Sequence, residues 1–325
     1  MPEPQPACRE SGTDAAPLLD PPRRKTACPI IDAHLHFGSV EDTGLLVDVA
    51  RRYGLTRLLG IVKTRDQALI LRRRYGDLLG FLIRPTYELI GEPTTFREYA
   101  VELLNRSADE GLVGVKFWFK PPFLASSGVT LDDPRMAPIW ETMDRRRLVG
   151  LAHIADPDAW FVEKYGDVEK YGTKLDQYTQ LTNVLERYPD VSIIGAHFGG
   201  NPEDLEFLAG LLTRYPNFHI DTSATKWVAR ELSAKPREAR DFVVRFADKI
   251  IFGTDLVVSE KAEPDYYASR FWVQQMLWEG CAVLPSPIPD PDHPAVPIVH
   301  GLCLEPDVLE RIYHKNAERV FRLDA

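Results

Sequence analysis

From Ile30 onward, short apolar runs alternate with stretches of helical spacing. The runs occupy 29–36, 56–62, 78–84, 112–119, 148–153, 191–197, 218–222 and 250–255. Between them, 42–53 sets Leu45, Leu46, Val49 and Tyr53 on one side. The stretch 94–109 opens on Thr94 and Thr95 as N-cap candidates and carries Phe96, Tyr99, Leu103 and Leu104. Segments 135–146, 174–188 and 202–215 follow the same style, with Pro202 suited to a first helical turn. Strand-then-helix repetition predicts parallel strands joined by right-handed crossovers, and eight units predict closure into a (β/α)8 TIM barrel. An open doubly wound sheet is the alternative. It needs a glycine-rich phosphate turn after its first strand, which His36-Phe37-Gly38-Ser39-Val40-Glu41 does not supply.

Three regions leave this pattern. Residues 257–297 combine an amphipathic piece at 266–278 with LPSPIPDPDHPAVP. That composition predicts a long surface excursion after strand 8, a candidate lid or subunit contact. Residues 305–323 predict a closing helix with Val308, Leu309, Ile312, Tyr313, Val320 and Phe321 on its apolar face. Residues 1–27, rich in Pro and charge, predict a disordered arm, leaving 28–325 as the barrel domain.

A chain of 325 residues suits one such barrel, and a net charge of −9 argues against nucleic acid and anionic membranes as partners. No apolar run approaches the roughly 20 residues of a membrane span. The first residues lack the basic head and apolar core of a signal peptide. Cys8, Cys28, Cys281 and Cys303 show no paired spacing, so free buried thiols in a reducing cytoplasm are expected.

The chemistry gathers at the strand ends. The first run ends in Asp32-Ala33-His34-Leu35-His36. Strand alternation predicts Asp32, His34 and His36 on one face and Ile31, Ala33 and Leu35 on the other. Two neutral imidazoles so placed can reach one divalent metal. The fourth run carries Lys116, the fifth ends in His153, the sixth in His197 and the eighth in Asp255. Singly, each has an ordinary explanation: a hydrogen-bonded core histidine, a turn histidine before Gly199 and Gly200, a helix cap, a snorkelling lysine. Jointly they would all sit at the one barrel face where active sites form. His219, His293, His300 and His314 are not assigned to the site.

These pieces resemble the amidohydrolase superfamily, in particular its amidohydrolase-2 branch of metal-dependent hydrolases and aminocarboxymuconate-semialdehyde-type decarboxylases. The matching phrases are Asp32-Ala33-His34-Leu35-His36, Gly114-Val115-Lys116, Ala152-His153, Ala196-His197-Phe198-Gly199-Gly200, Phe252-Gly253-Thr254-Asp255, Gly301-Leu302, Ile312-Tyr313 and Asn316-Ala317-Glu318-Arg319-Val320-Phe321. The resemblance implies that His34, His36, His153 and Asp255 bind one Zn2+, with Mn2+ or a binuclear site as alternatives. It further implies a metal-activated water, with Asp255 and His197 as catalytic groups. Asp255 would accept and return the proton, and His197 would polarise the bond under attack. Asp32 would orient a liganding histidine. Lys116 would be either a carboxylated bridge to a second metal or a substrate contact.

Arg84, Trp118, Lys120 and Trp160 follow strand ends and are the substrate-binding candidates, the cations for an anionic group and the rings for a planar body. Lys63, Arg65, Lys226, Phe119, Phe123, Phe161 and Trp227 share that placement. The function expected is hydrolysis of an ester, lactone or amide in a small carboxylated or aromatic substrate. The alternative is non-oxidative decarboxylation of an aromatic or enolic acid at the same metal. Some such relatives replace the first histidine by glutamate, whereas His34 is kept here. A non-catalytic binding barrel is the third reading, although every site position is filled. By analogy with such barrels a homodimer is the expected assembly, with 258–297 as its candidate contact.

Overall fold

The computed structural model describes residues 19–290 and 297–323. Parallel strands β1 (Ile30–His36), β2 (Leu55–Val62), β3 (Leu79–Ile83), β4 (Gly114–Trp118), β5 (Val149–His153), β6 (Ile193–Gly195), β7 (Phe218–Asp221) and β8 (Ile250–Ile251) pair in sequence order. A short continuation, β9 (Leu256–Val257), pairs with β1 on the other side. Between β8 and β9, Ala33 N donates to Phe252 O at 2.9 Å and Asp255 N to His34 O at 2.8 Å. Residues 250–258 thus form one bent strand that leaves β7 and joins β1, which closes the barrel. The seam is tight at Gly253, where an added Cβ would stand 2.9 Å from that of His34.

Inside the barrel, Ile31, Ala33, Leu59, Ile61, Leu82, Val149, Leu151, Ile194 and Ile251 form one apolar cluster. Ala317, Val320 and Phe321 of the terminal helix Asn316–Phe321 plug its lower end. There Asn316 Nδ2 donates to Ala247 O and Ile250 O, each at 2.7 Å. Outward-facing residues such as Ile30, Leu35, Phe81, Phe117 and Phe218 pack beneath the helices.

The alternation expected for the first strand breaks. Ile31 and Ala33 face inward, but Leu35 faces the outer layer. The cause is a register slip between Asp32 and Leu35 in the β1–β2 pairing, a bulge with one extra residue. It brings His34 into the interior directly after Ala33 and turns Asp32 away from the histidines.

Two helix starts also differ from expectation. Pro93 takes the first helical position of Pro93–Asp109, one residue before Thr94. Pro202 stays outside Leu205–Arg214, whose cap is Asp204 accepting from Phe207 N at 2.9 Å. The closing segment is helical but interrupted, with a wide turn at Arg311–Lys315 whose Ile312 O accepts from Phe252 N at 2.9 Å.

The region after β8 is not wholly a surface excursion. Helix Pro264–Glu279 buries Phe271, Val273, Leu277 and Trp278. Gln275 Nε2 reaches Tyr53 O and Gln274 Nε2 reaches Thr222 O, both at 2.7 Å. It is therefore the helix of the eighth barrel unit. Beyond it, Val283–Pro285 and Ile298–His300 pair antiparallel, and 291–296 of the proline-rich stretch lie outside the described residues.

Cys281 and Cys303 flank that hairpin and form a disulfide. This corrects the expectation of free thiols, which rested on sequence spacing, whereas folding brings their Cα atoms to 4.6 Å. Cys28 is free and Cys8 lies outside the described residues. Part of the expected arm is docked: Tyr53 OH donates to Leu19 O at 2.6 Å, and Lys25 N to Glu279 Oε2 at 2.5 Å. Residues 1–18 lie outside the described part. No helix among the described residues is long and apolar enough to cross a membrane.

Candidate functional site

The carboxyl ends of the strands bring together most of the residues that the sequence singled out. His36 Nε2 lies 3.1 Å and His34 Nε2 3.2 Å from the same oxygen, Asp255 Oδ1. His34 is fully buried, while the His36 and Asp255 side chains are about a third exposed, so the group opens on one side. Lys116, buried on β4, places Nζ 3.0 Å from His34 Nε2. Its ammonium is pulled down to about 8 by burial, against the raising effect of Asp255 and Asp221.

The chain fixes which ring atoms face inward. Buried Asp221, at the end of β7, accepts from His34 Nδ1 at 2.7 Å. A proton on Nδ1 leaves Nε2 as a lone pair, which meets a carboxylate oxygen and a second imidazole. Lys116 Nζ meets that lone pair from β4 at 3.0 Å, and His36 Nε2 and Asp255 Oδ1 stand on the open side, where a divalent cation would be held. Two imidazoles and one carboxylate with an open side make a donor set suited to Zn2+ or Mn2+. His34, His197 and Asp221 form a second close group, but there the contacts are hydrogen bonds. Asp221 Oδ1 accepts from His197 N at 2.8 Å, Ser223 N at 3.0 Å and Ser223 Oγ at 2.5 Å. Its oxygens are spent on orienting the site.

His153 stands outside both of these groups. Its Nε2 is 2.9 Å from Asp156 Oδ1, and its Nδ1 is 3.2 Å from His197 Nε2. Asp156, which also accepts from Tyr165 OH at 2.9 Å, does for His153 what Asp221 does for His34. It takes one ring proton and leaves the other nitrogen facing the site. His197 lies 4.0 Å from Asp255 Oδ2 through Nδ1, which also meets Ser223 Oγ at 2.8 Å. Burial lowers His197 to about 3, so its ring is neutral at pH 7. Asp255 is held well below the carboxylate range: burial works to raise it, and the surrounding His34, His197 and His36 outweigh burial.

The backbone is bent to achieve this. His197 (φ 60°) and Phe198 (φ 56°) are left-handed, as are Gly199 (φ 66°) and Gly200 (φ 76°). Asp255 also has φ 60°. Each non-glycine residue in that region costs about 1–2 kcal/mol. The bonds from Asp221 to His197 N and from Asp255 N to His34 O offset that strain, as is common at functional sites. Asp32 does not touch a histidine ring. Its carboxylate accepts from Thr254 Oγ1 at 2.6 Å, Thr254 N at 3.2 Å and His34 N at 3.1 Å, clamping the barrel seam. Burial raises it to about 8.

A cavity of about 490 Å³ opens over Asp255, His153 and His197. Of the substrate candidates, Lys120 and Trp160 line it. Arg84 and Trp118 line a neighbouring cavity with Tyr87 and Phe123, and Arg84 sits 5.9 Å over the Trp118 ring. Arg65 is committed to Glu110 and Lys226 to Asp290. Sequence reasoning missed Asp221, Asp156 and Ser223. The signal for Asp221 was available, since it ends an apolar run like the other site residues.

Comparison with known proteins follows the same lines. The amidohydrolase family model (Amidohydro_2) matches residues 73–323. No curated protein sequence matches the chain. Among solved structures, 5-carboxyvanillate decarboxylase from Novosphingobium aromaticivorans, complexed with manganese and a nitrobenzoic acid, aligns at TM-score 0.51 and 16% identity over 85% of this chain and 79% of that one. Dihydroorotase from Campylobacter jejuni aligns at 0.50 and 13%, covering 91% and 83%. 4-Oxalomesaconate hydratase from Rhodopseudomonas palustris aligns at 0.56 and 13%, covering 90% and 96%. At such identities the alignments speak to the fold, and that fold is the TIM barrel built above. A match over most of the chain, on a barrel whose mouth gathers histidines and aspartates, makes this protein a member of the amidohydrolase family, a superfamily of metal-dependent enzymes.

Proposed function

We propose that this protein is a metal-dependent hydrolase acting on an ester, lactone or amide bond of a small carboxylated or aromatic substrate. The observation that carries it is the meeting of His34 Nε2 and His36 Nε2 on Asp255 Oδ1, at 3.2 and 3.1 Å, beneath an open cavity. His34, His36 and Asp255 would hold the cation, with His153 Nδ1, which faces His197 Nε2 at 3.2 Å, as the candidate fourth ligand. When bound, a divalent cation, most naturally Zn2+, polarises a carbonyl and makes water acidic enough to attack at neutral pH.

The protein's own groups do the rest. Asp255 stays ionised at neutral pH and takes the proton of the attacking water, then passes it to the leaving group. His197, neutral and anchored at Nδ1 by Ser223 Oγ, faces His153 Nδ1 through its unprotonated Nε2, and this pair would accept hydrogen bonds from water or substrate at the cavity wall. Asp221 holds His34 and His197 together. Lys116 either supplies positive charge next to His34 or contacts substrate, and one metal per chain is the expected stoichiometry.

Decarboxylation at the same centre is the competing chemistry, supported by the fold neighbour named as a decarboxylase. Retention of a histidine at position 34 favours hydrolysis. A panel of aryl esters, lactones, cyclic amides and hydroxybenzoates, assayed for acid release and for carbon dioxide release on zinc- and manganese-loaded protein, separates the two. Acid release that disappears on chelation supports the hydrolase. Carbon dioxide release alone overturns it.

A further inference from the structure

The cations around the cavity are not equivalent. Lys226 and Arg230 face it, but Asp290 engages both, at 3.2 and 2.5 Å, and Glu231 takes the Arg230 Nε at 2.9 Å. Arg270 differs. It projects from the helix Pro264–Glu279 into the same cavity, and among the described residues no carboxylate pairs with it. Its Nη1 is used on Tyr266 O at 3.2 Å and Ser269 Oγ at 3.0 Å. Its guanidinium carbon lies 4.1 Å over the centre of the Tyr266 ring. Its Nε and Nη2 donate to no described residue. These two atoms form the side edge with which arginine grips a carboxylate by two parallel bonds. The group is half-buried, and burial lowers its pKa from the ordinary value, with Tyr266 acting the other way. A guanidinium drawn out of water, fixed by a ring and two bonds, with its binding edge unused, is a preorganised site for a planar anion.

We propose that Arg270 anchors a carboxylate of the substrate other than the group that reacts, so that the site selects doubly functional acids over singly functional ones. This rests on the reading of the cavity over Asp255 as the substrate site. A sphere of about 490 Å³ is about 10 Å across, enough for a substituted single ring with one end at Asp255 and another at Arg270. The selecting arm then comes from the eighth barrel unit, whereas Arg84 lines separate cavities, one of which reaches His36.

The test is calorimetric binding of benzene-1,3-dicarboxylate and of benzoate to the full zinc-loaded chain. Wild-type protein binds the dicarboxylate at least about tenfold more tightly than benzoate. In R270Q that ratio falls to about one while benzoate affinity stays within twofold. R270K, which keeps the charge without the two-pronged edge, gives an intermediate ratio. Unchanged melting temperatures show that the variants are folded. A preference that survives in R270Q, or no preference in wild type, overturns the assignment. Repeating both titrations on metal-stripped protein separates this from the metal reading. Affinities indifferent to zinc would count against the metal centre, and the ratio would still decide Arg270.

Discussion

Asp221 Oδ2 lies 2.7 Å from His34 Nδ1, with both side chains sealed from solvent. This contact sets the tautomer of His34, aims Nε2 at Asp255, and carries over to His197 through the second oxygen of the same carboxylate. Asp221→Asn keeps the shape and removes the charge and the strongest acceptor. Metal affinity, measured by competition with a chromogenic chelator, falls about 10–100-fold. Unaltered affinity would show that another group orients His34.

Asp255 touches both imidazoles and faces the cavity, the position that the proposed roles of ligand and proton carrier require. Asp255→Asn lowers kcat by about 10²–10⁴-fold even when zinc is supplied at saturating concentration. The check is to measure turnover and bound zinc on the same sample. Wild-type turnover in the zinc-saturated variant would remove Asp255 from the chemistry.

Lys120 and Arg84 look alike in the sequence but face different cavities. Lys120→Met raises KM for a carboxylated substrate several-fold, and Arg84→Met leaves it within about twofold. The size of the first effect follows from losing one charge-assisted contact at a partly exposed site. Equal effects in the two variants would merge the two cavities into one binding surface.

His219 sits inside the barrel on β7, away from the mouth, with Nδ1 lacking a hydrogen-bond partner. Burial lowers its pKa to about 3, helped by Lys249 and Arg319. The unfolded chain takes up this proton near pH 6.5 and the folded chain does not. Its contribution to stability is therefore complete above about pH 6.5 and is lost progressively as pH falls toward 3. By pH 4.5 the loss amounts to up to about 3 kcal/mol. His219→Leu flattens the urea-midpoint curve between pH 6.5 and 4.5, while a slope equal to wild type would assign the acid sensitivity elsewhere.

Much of this was legible in the chain because strand ends are marked twice, by an apolar run and by the polar residue that closes it. That is why His34, His36, His153, His197 and Asp255 could be gathered before any fold was known. Asp221 ends the run beginning at Phe218 in the same way. It escaped because the run was read through Thr222 and because a lone aspartate carries no metal-like spacing. Asp156 was hidden differently: its partner His153 is close in sequence, but only the loop after β5 folds its carboxylate back onto the ring. The face of Asp32 could not be read at all. Alternation holds only while pairing stays in register, and the bulge before Leu35 reverses it without any mark in the sequence. The helix at Pro264–Glu279 was visible as an amphipathic piece at 266–278, but the prolines that follow assigned it to a surface excursion, whereas it is buried on several sides. Cysteine spacing carried no trace of the Cys281–Cys303 bond, which depends on a hairpin formed between them.

One cation shared by residues of β1 and of the bent eighth strand is the centre of the proposed chemistry. An anomalous-difference map at the zinc edge from crystals grown with zinc tests this most directly. It should show a single site per chain, about 2.0–2.2 Å from His34 Nε2, His36 Nε2 and an Asp255 carboxylate oxygen. A map with no peak between these three residues, or with its strongest peak elsewhere, would contradict it.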